Sequence, residues 1–208
     1  EKFKPEYVVF LIGANDWVKS INRHFSPMME NEYVKAFFFQ SQPLVKVYAK
    51  IYEIFFQKKT YSNATMFKKL QGKYKNKMKK SFYPDKVSEE FKSNLESITD
   101  LCNNISNLNC ILMTQPAIYS QNLKNDNLEK LWFTPPFYKW ALDMSSLIYI
   151  RDLYNEFIKS KYKNKNVKCL DLSKEINQKS KLFYDDIHFN KEGNIFIGKL
   201  IYKYIKKN

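Results

Sequence analysis

Apolar residues in this chain fall into two patterns, short unbroken runs and spaced stripes. Tyr7-Val8-Val9-Phe10-Leu11-Ile12 is a continuous apolar run that stops at Gly13. Such a run predicts a strand buried on both faces, as in a parallel sheet. Val8, Phe10 and Ile12 are therefore expected in the core. Cys110-Ile111-Leu112-Met113-Thr114 is a second run, stopped by Gln115-Pro116, with Ile111 and Met113 expected to be buried. Val167-Lys168-Cys169-Leu170 is a third, closed by Asp171. The stripes predict helices. Leu44, Val45, Val47, Tyr48, Ile51, Ile54 and Phe55 recur at helical spacing, with Pro43 suited to the first turn. Val87, Phe91, Leu95, Ile98, Leu101, Ile105 and Leu108 mark a long amphipathic helix entered after Pro84-Asp85. Asp143 to Lys161 is helical through Leu147, Ile150, Tyr154, Phe157 and Ile158. Asn190 is placed to cap a last helix with Ile197, Leu200, Ile201 and Tyr204 on its apolar face. Lys206 and Lys207 suit the C-terminal end of that helix dipole.

Strands alternating with helices predict an α/β fold with a parallel sheet. Sites in such sheets form beyond the carboxyl ends of the strands. Asn15, Thr114-Gln115 and the segment after Asp171 all fall there, and the turn carrying His188 follows the last strand. The topology thus brings these residues to one rim. Residues 1–208 read as a single domain without internal repeats, with two departures from the pattern. One is a lysine-rich stretch near 58–84, expected as a mobile surface excursion. The other is an irregular insertion near 117–142, expected to expose Trp132, Phe133, Phe137, Tyr138 and Trp140, which could wall an acyl or sugar pocket or equally form a packed flap or a partner contact.

Composition narrows the classes. The 208 residues carry a net charge of +14, and 44% are hydrophobic, which describes a globular chain with a core. Arg23 and Arg151 are its two arginines, so nearly all of the positive charge is lysine. Base-edge and bidentate phosphate recognition favour arginine, so nucleic acid is not the expected partner. Weak peripheral attraction to an anionic membrane surface fits the lysine charge better than nucleic acid does, at about 1 kcal/mol per nearby lysine. The longest apolar candidate for a membrane span, Ala36 to Phe56, is broken by Pro43, Lys46, Lys50 and Glu53. Cys102, Cys110 and Cys169 are too few, and odd in number, for a disulfide framework, and are expected as buried thiols. The chain opens on Glu1, so no signal peptide or anchor, and hence no compartment, can be read from it.

The chemistry concentrates in two short stretches. Tyr184-Asp185-Asp186-Ile187-His188-Phe189-Asn190 places a carboxylate three residues before a histidine, on a polar turn. Gly13-Ala14-Asn15-Asp16 follows the first predicted strand. A histidine with a carboxylate partner can serve as a general base near neutral pH. A side-chain amide beyond a strand can donate to a developing oxyanion. Asp186 competes with Asp185 as the partner of His188 but has the wrong spacing; it is expected to be solvated or structural. His24 lacks such a partner and reads as ordinary. Asp16 is expected to hold the loop or cap the next helix, and Gly13 to let the backbone leave the strand.

These residues resemble the SGNH/GDSL hydrolase family. Gly13-Ala14-Asn15-Asp16 is similar to its third block, Gly-x-Asn-Asp, and Asp185-Asp186-Ile187-His188 to its fifth, Asp-x-x-His. The order agrees, and the turn at Thr114-Gln115-Pro116 is similar to one that many members carry between these blocks. The resemblance implies a three-layer α/β/α sandwich around a flavodoxin-like parallel sheet. It implies a serine esterase or lipase-like hydrolase working through an acyl-enzyme. His188 would be the base, Asp185 its orienter and Asn15 an oxyanion donor, with Gly13 and Gln115 beside the substrate. No metal or cofactor is implied. The substrate would be a small-molecule, glycan or lipid ester, and acyl transfer to a sugar hydroxyl would use the same residues.

One departure matters. The family's first block, Gly-Asp-Ser, carries the nucleophile, and this sequence has no such motif; nor does it show the glycine of the second block. Both precede the third block in the family, which implies that the first strands are missing and that the serine lies outside this chain. The competing class is a non-catalytic, lysine-rich module that binds anionic membranes or polymers. The oligomeric state is not legible in the sequence.

Overall fold

A computed structural model describes residues 4–25, 73–131, 139–161, 166–176 and 179–207. Strand β1 (Tyr7–Leu11) leads into helix α1 (Ala14–Phe25). After a short 3-10 turn at Lys73–Asn76 come β2 (Met78–Lys80), α2 (Glu89–Asn104) and β3 (Asn109–Met113). Then follow α3 (Asn125–Leu128), β4 (Trp140–Leu142), α4 (Met144–Ser160), β5 (Val167–Leu170) and α5 (Leu172–Ile176). A second 3-10 turn at Ser180–Leu182 precedes α6 (Lys191–Lys207). The fold is mixed α/β with parallel sheets. Among the described residues, one sheet has the order β1-β3-β5 and a smaller one pairs β2 with β4. Register is in step along β1 and β3, from Tyr7 opposite Asn109 to Leu11 opposite Met113. Cys110 lies opposite Val167 and Met113 opposite Leu170.

The central strand meets its expectation and the edge strand does not. Cys110, Ile111, Leu112 and Met113 are all buried. Tyr7 to Phe10 and Ile12 are only half-buried, and Leu11 is 37% exposed. The reason is position: among the described residues, β1 pairs with β3 alone, so one edge of this apolar strand stands open.

Helix boundaries follow local chemistry. Ser88 caps α2 by accepting from the Phe91 N–H at 3.2 Å, and Asp143 caps α4 by accepting from the Ser146 N–H at 2.7 Å. The Asn190 side chain accepts from Gly193 N–H at 2.9 Å at the start of α6. Phe91 and Leu95 of α2 and Leu147, Ile150, Tyr154 and Ile158 of α4 are buried in the core. The Phe91 and Tyr154 rings lie 4.8 Å apart and join the two helices. Leu101, on the expected apolar stripe of α2, is instead 58% exposed. None of the described helices is long and apolar enough to cross a membrane.

Three expectations need correction. Cys102 and Cys110 are not free thiols; they form a disulfide between the last turn of α2 and the start of β3. The turn between them, with Asn107 at a left-handed φ of 64°, brings their Cα atoms to 6.1 Å, within bridging range. Cys169 is a free thiol but only half-buried. The described end of the lysine-rich stretch is structured: Tyr74 is buried with its hydroxyl donating to Leu142 O at 3.1 Å, and β2 pairs with β4. Ala117, Ile118 and Tyr119, expected in an exposed insertion, are buried. Trp140 is half-buried in β4. The helix expected at 43–55, residues 58–72 of the lysine-rich stretch, and Trp132, Phe133, Phe137 and Tyr138 lie outside the described residues.

Candidate active site

The segment from Phe183 to Phe189 folds back on itself. Phe183 and Phe189 form an antiparallel bridge, and the Tyr184 N–H donates to His188 O at 2.8 Å. Inside this loop the Asp185 carboxylate is 1% exposed. Its Oδ1 accepts from the N–H of Ile187 at 2.9 Å and of His188 at 2.7 Å. Its Oδ2 lies 2.8 Å from Nδ1 of the His188 ring. A carboxylate only accepts, so this contact puts the imidazole proton on Nδ1 and leaves Nε2 as the basic nitrogen. The Asp185 hydrogen bond raises the His188 pKa above its ordinary 6.5; the negative fields of Asp185 and Asp186 add to it, while partial burial opposes.

The loop is braced from outside. Asp186 is fully buried, not solvated, and accepts from the Tyr119 hydroxyl at 3.0 Å. Ile118 N–H donates to Asp186 O at 3.0 Å. The strand exit that carries Ile118 and Tyr119 is in turn clamped by α4. Asn155 exchanges two hydrogen bonds with the Gln115 backbone, at 2.8 and 3.0 Å, and Arg151 donates to Tyr119 O at 2.9 Å. Burial, with the field of Asp186, pushes the Tyr119 phenol well above its ordinary range. Sequence reasoning missed Tyr119, Arg151 and Asn155. The available signal was polar residues at core positions of a helix, since Arg151 and Asn155 sit among the buried residues of α4.

On the far side of the loop, Asn190 N–H donates to Leu182 O at 3.1 Å. A Cβ on Gly193 would lie 2.2 Å from that same carbonyl oxygen, so only glycine lets the first turn of α6 approach so closely.

The second stretch leaves β1 through Gly13, at a φ of +130°, where a side chain would be strained. Asp16 and Trp17 N–H groups both donate to Gly13 O at 3.0 Å, which starts α1. Asn15 is therefore the exposed second residue of the helix. Asp16 is its third residue, inside the helix and not its cap, and burial raises its pKa, with Lys19 opposing.

Gly13, Asn15, Asp16, Gln115, His188 and Asn194 line one cavity of about 460 Å³. Of the sequence-predicted residues, Asp185 alone stands outside the lining; it lies behind His188. Gln115 is buried, and its amide N–H donates to Pro116 O at 3.0 Å. No serine, threonine or cysteine is among the described residues that line the cavity. His24 stacks on Phe82 with ring centroids 4.3 Å apart, as an ordinary packing residue. No protein-family model, curated protein or solved structure matches the chain, so any functional reading rests on this geometry.

Proposed function

We propose that this chain supplies the base, its orienting carboxylate and an oxyanion donor of a serine ester hydrolase of the SGNH/GDSL type. The nucleophile comes from outside these residues. The observation that carries the reading is His188, held through Nδ1 by a buried carboxylate with three hydrogen bonds, in a cavity that Asn15 also lines. The parallel order β1-β3-β5, with helices between, fits a three-layer α/β/α domain of that type. The open edge of β1 fits a neighbouring strand beside it.

In this reading His188 Nε2 takes the proton of the serine hydroxyl as the oxygen attacks the ester carbonyl carbon. Asp185 holds the tautomer and stabilises the imidazolium. Asn15 donates its side-chain amide to the oxyanion, a contribution of roughly 3 kcal/mol to the transition state. The imidazolium returns its proton to the leaving alkoxide, which departs as the alcohol. Water, deprotonated by His188, then releases the acid from the acyl-enzyme.

The test pairs the isolated chain with the parent protein that also carries the nucleophile. The parent should hydrolyse an activated ester such as p-nitrophenyl acetate and be labelled by a serine-directed fluorophosphonate. The isolated chain should do neither. A parent with no ester turnover, or an isolated chain that is labelled, would count against the reading.

A further inference from the structure

Helix α6 has one face committed to the core and one turned outward. Gly193 and Ile197 are buried, and the Tyr204 hydroxyl donates to Cys169 O at 2.9 Å, which seats the inner face on β5. On the outer face Ile195 is 51% exposed and Tyr202 60%. Lys199, Lys203 and Lys206 are exposed on the same side, since positions 195, 199, 202 and 206 follow one another at helical spacing and 203 flanks them. A Cβ on Gly198, which lies among them, would meet nothing within 4 Å. The stripe from Ile195 to Lys206 is roughly 16 Å long by helical rise.

The helix carries five lysines against one acid, Glu192. The lysine ion pairs among the described residues lie elsewhere, on Lys19, Lys86, Lys159 and Lys161. The Lys206 ammonium instead lies 4.8 Å from the centre of the Tyr202 ring. A single exposed isoleucine or tyrosine needs no explanation. Here two of them stand in line with three lysines whose charge no acid on the described surface offsets.

We propose that the outer face of α6, from Ile195 to Lys206, docks on an anionic lipid surface. The three ammonium groups meet the lipid headgroups, while the lysine stems, Ile195 and Tyr202 reach the boundary with the acyl chains. Lysine in place of arginine, on a convex helix face and not in a groove, favours lipid over nucleic acid. The helix also begins at the candidate site, because Asn194 lines the cavity that holds His188. Docking through α6 therefore sets that cavity beside the lipid. The proposal does not depend on the chemistry assigned to His188.

The test is cosedimentation of this chain with vesicles of phosphatidylcholine alone and of an equal mixture of phosphatidylcholine and phosphatidylserine. The mixed vesicles should carry the protein down and the neutral ones should not. The combined variant Lys199→Gln, Lys203→Gln and Lys206→Gln should weaken binding on the order of a hundredfold, the scale for three lysines at such a surface. Lys73→Gln, Lys75→Gln and Lys92→Gln together remove the same charge from exposed positions on other elements, and should weaken it far less. Ile195→Ser with Tyr202→Ser leaves the charge unchanged and should cost roughly tenfold, from the lost apolar contact. No binding to the mixed vesicles, or equal losses in the two lysine variants, overturns the proposal. So does a face that binds a polynucleotide, with loss in the α6 variant, while the vesicles are not bound. No ester is turned over in this assay, so its failure leaves the His188 reading standing.

Discussion

The two halves of the candidate site are built differently. The Asp185–His188 loop is over-determined. Its carboxylate is buried under three hydrogen bonds, its neighbour Asp186 is bonded to Tyr119, and its exit is locked at Gly193. The Gly13–Asp16 turn has less around it. It hangs from an edge strand that is half-buried and pairs with β3 alone among the described residues, and Asn15 is exposed. A histidine base must keep one tautomer and one orientation, so its surroundings fix it before any ligand arrives. An oxyanion donor must be preorganised too, and the strand that carries this one can gain that order from what packs against the open edge. The base half is therefore expected to survive in this chain alone, while the donor half depends on its surroundings.

The strongest break in that comparison is functional. Asn15→Ala in the parent should lower kcat for an activated ester by roughly a hundred- to a thousand-fold, the usual loss for one oxyanion donor. Its folding should be unaffected, because Asn15 is exposed. A variant that loses stability instead would place Asn15 in the fold and not in the chemistry.

Gly193→Ala probes the other half through stability. Its Cβ would overlap Leu182 O, a backbone atom that cannot turn away. The cost should be about 1–3 kcal/mol, typical of overpacking, read by urea denaturation of this chain. Tyr119→Phe should cost less, about 1–2 kcal/mol, for one buried hydrogen bond to a carboxylate. A neutral result in both would mean that the loop is not braced as described.

The smallest effect is a titration. His188 has a raised pKa, so its protonated form is favoured in the fold. The stability this adds is fully present below the unfolded value near 6.5 and is lost as pH rises through the raised one. The basic form needed for catalysis appears over the same rise, so the acid limb of activity should lie above pH 6.5. Asp185→Asn should bring the His188 titration, followed by NMR, back down. Asp186→Asn should lower it by less, since Asp186 acts on the ring only through its field. A His188 that titrates identically in the wild type and Asp185→Asn would break the pairing.

Local patterns were legible in the sequence and long-range ones were not. The runs at 7–12, 110–114 and 167–170 become strands, and Asn190 caps the helix it precedes. The Asp-x-x-His spacing needs only one loop to close, and the carboxylate reaches the ring. What β1 would pair with, and so how deeply Val8 and Phe10 would be buried, depends on sheet order, which no local pattern encodes. The Cys102–Cys110 bridge depends on where α2 ends against β3, and an odd count of cysteines concealed it. The clamp of Arg151 and Asn155 on the strand exit joins residues 32 and 40 positions apart, and polar residues at core positions of a helix do not say which distant backbone they meet.

The account stands most directly on His188 as the base. The measurement is activated-ester turnover by the parent protein and its His188→Ala variant, at a pH above the His188 titration. Because the members of such a site act as a unit, kcat should fall by a factor on the order of a thousand or more. Undiminished turnover in His188→Ala would contradict the account, whatever the geometry of the pair.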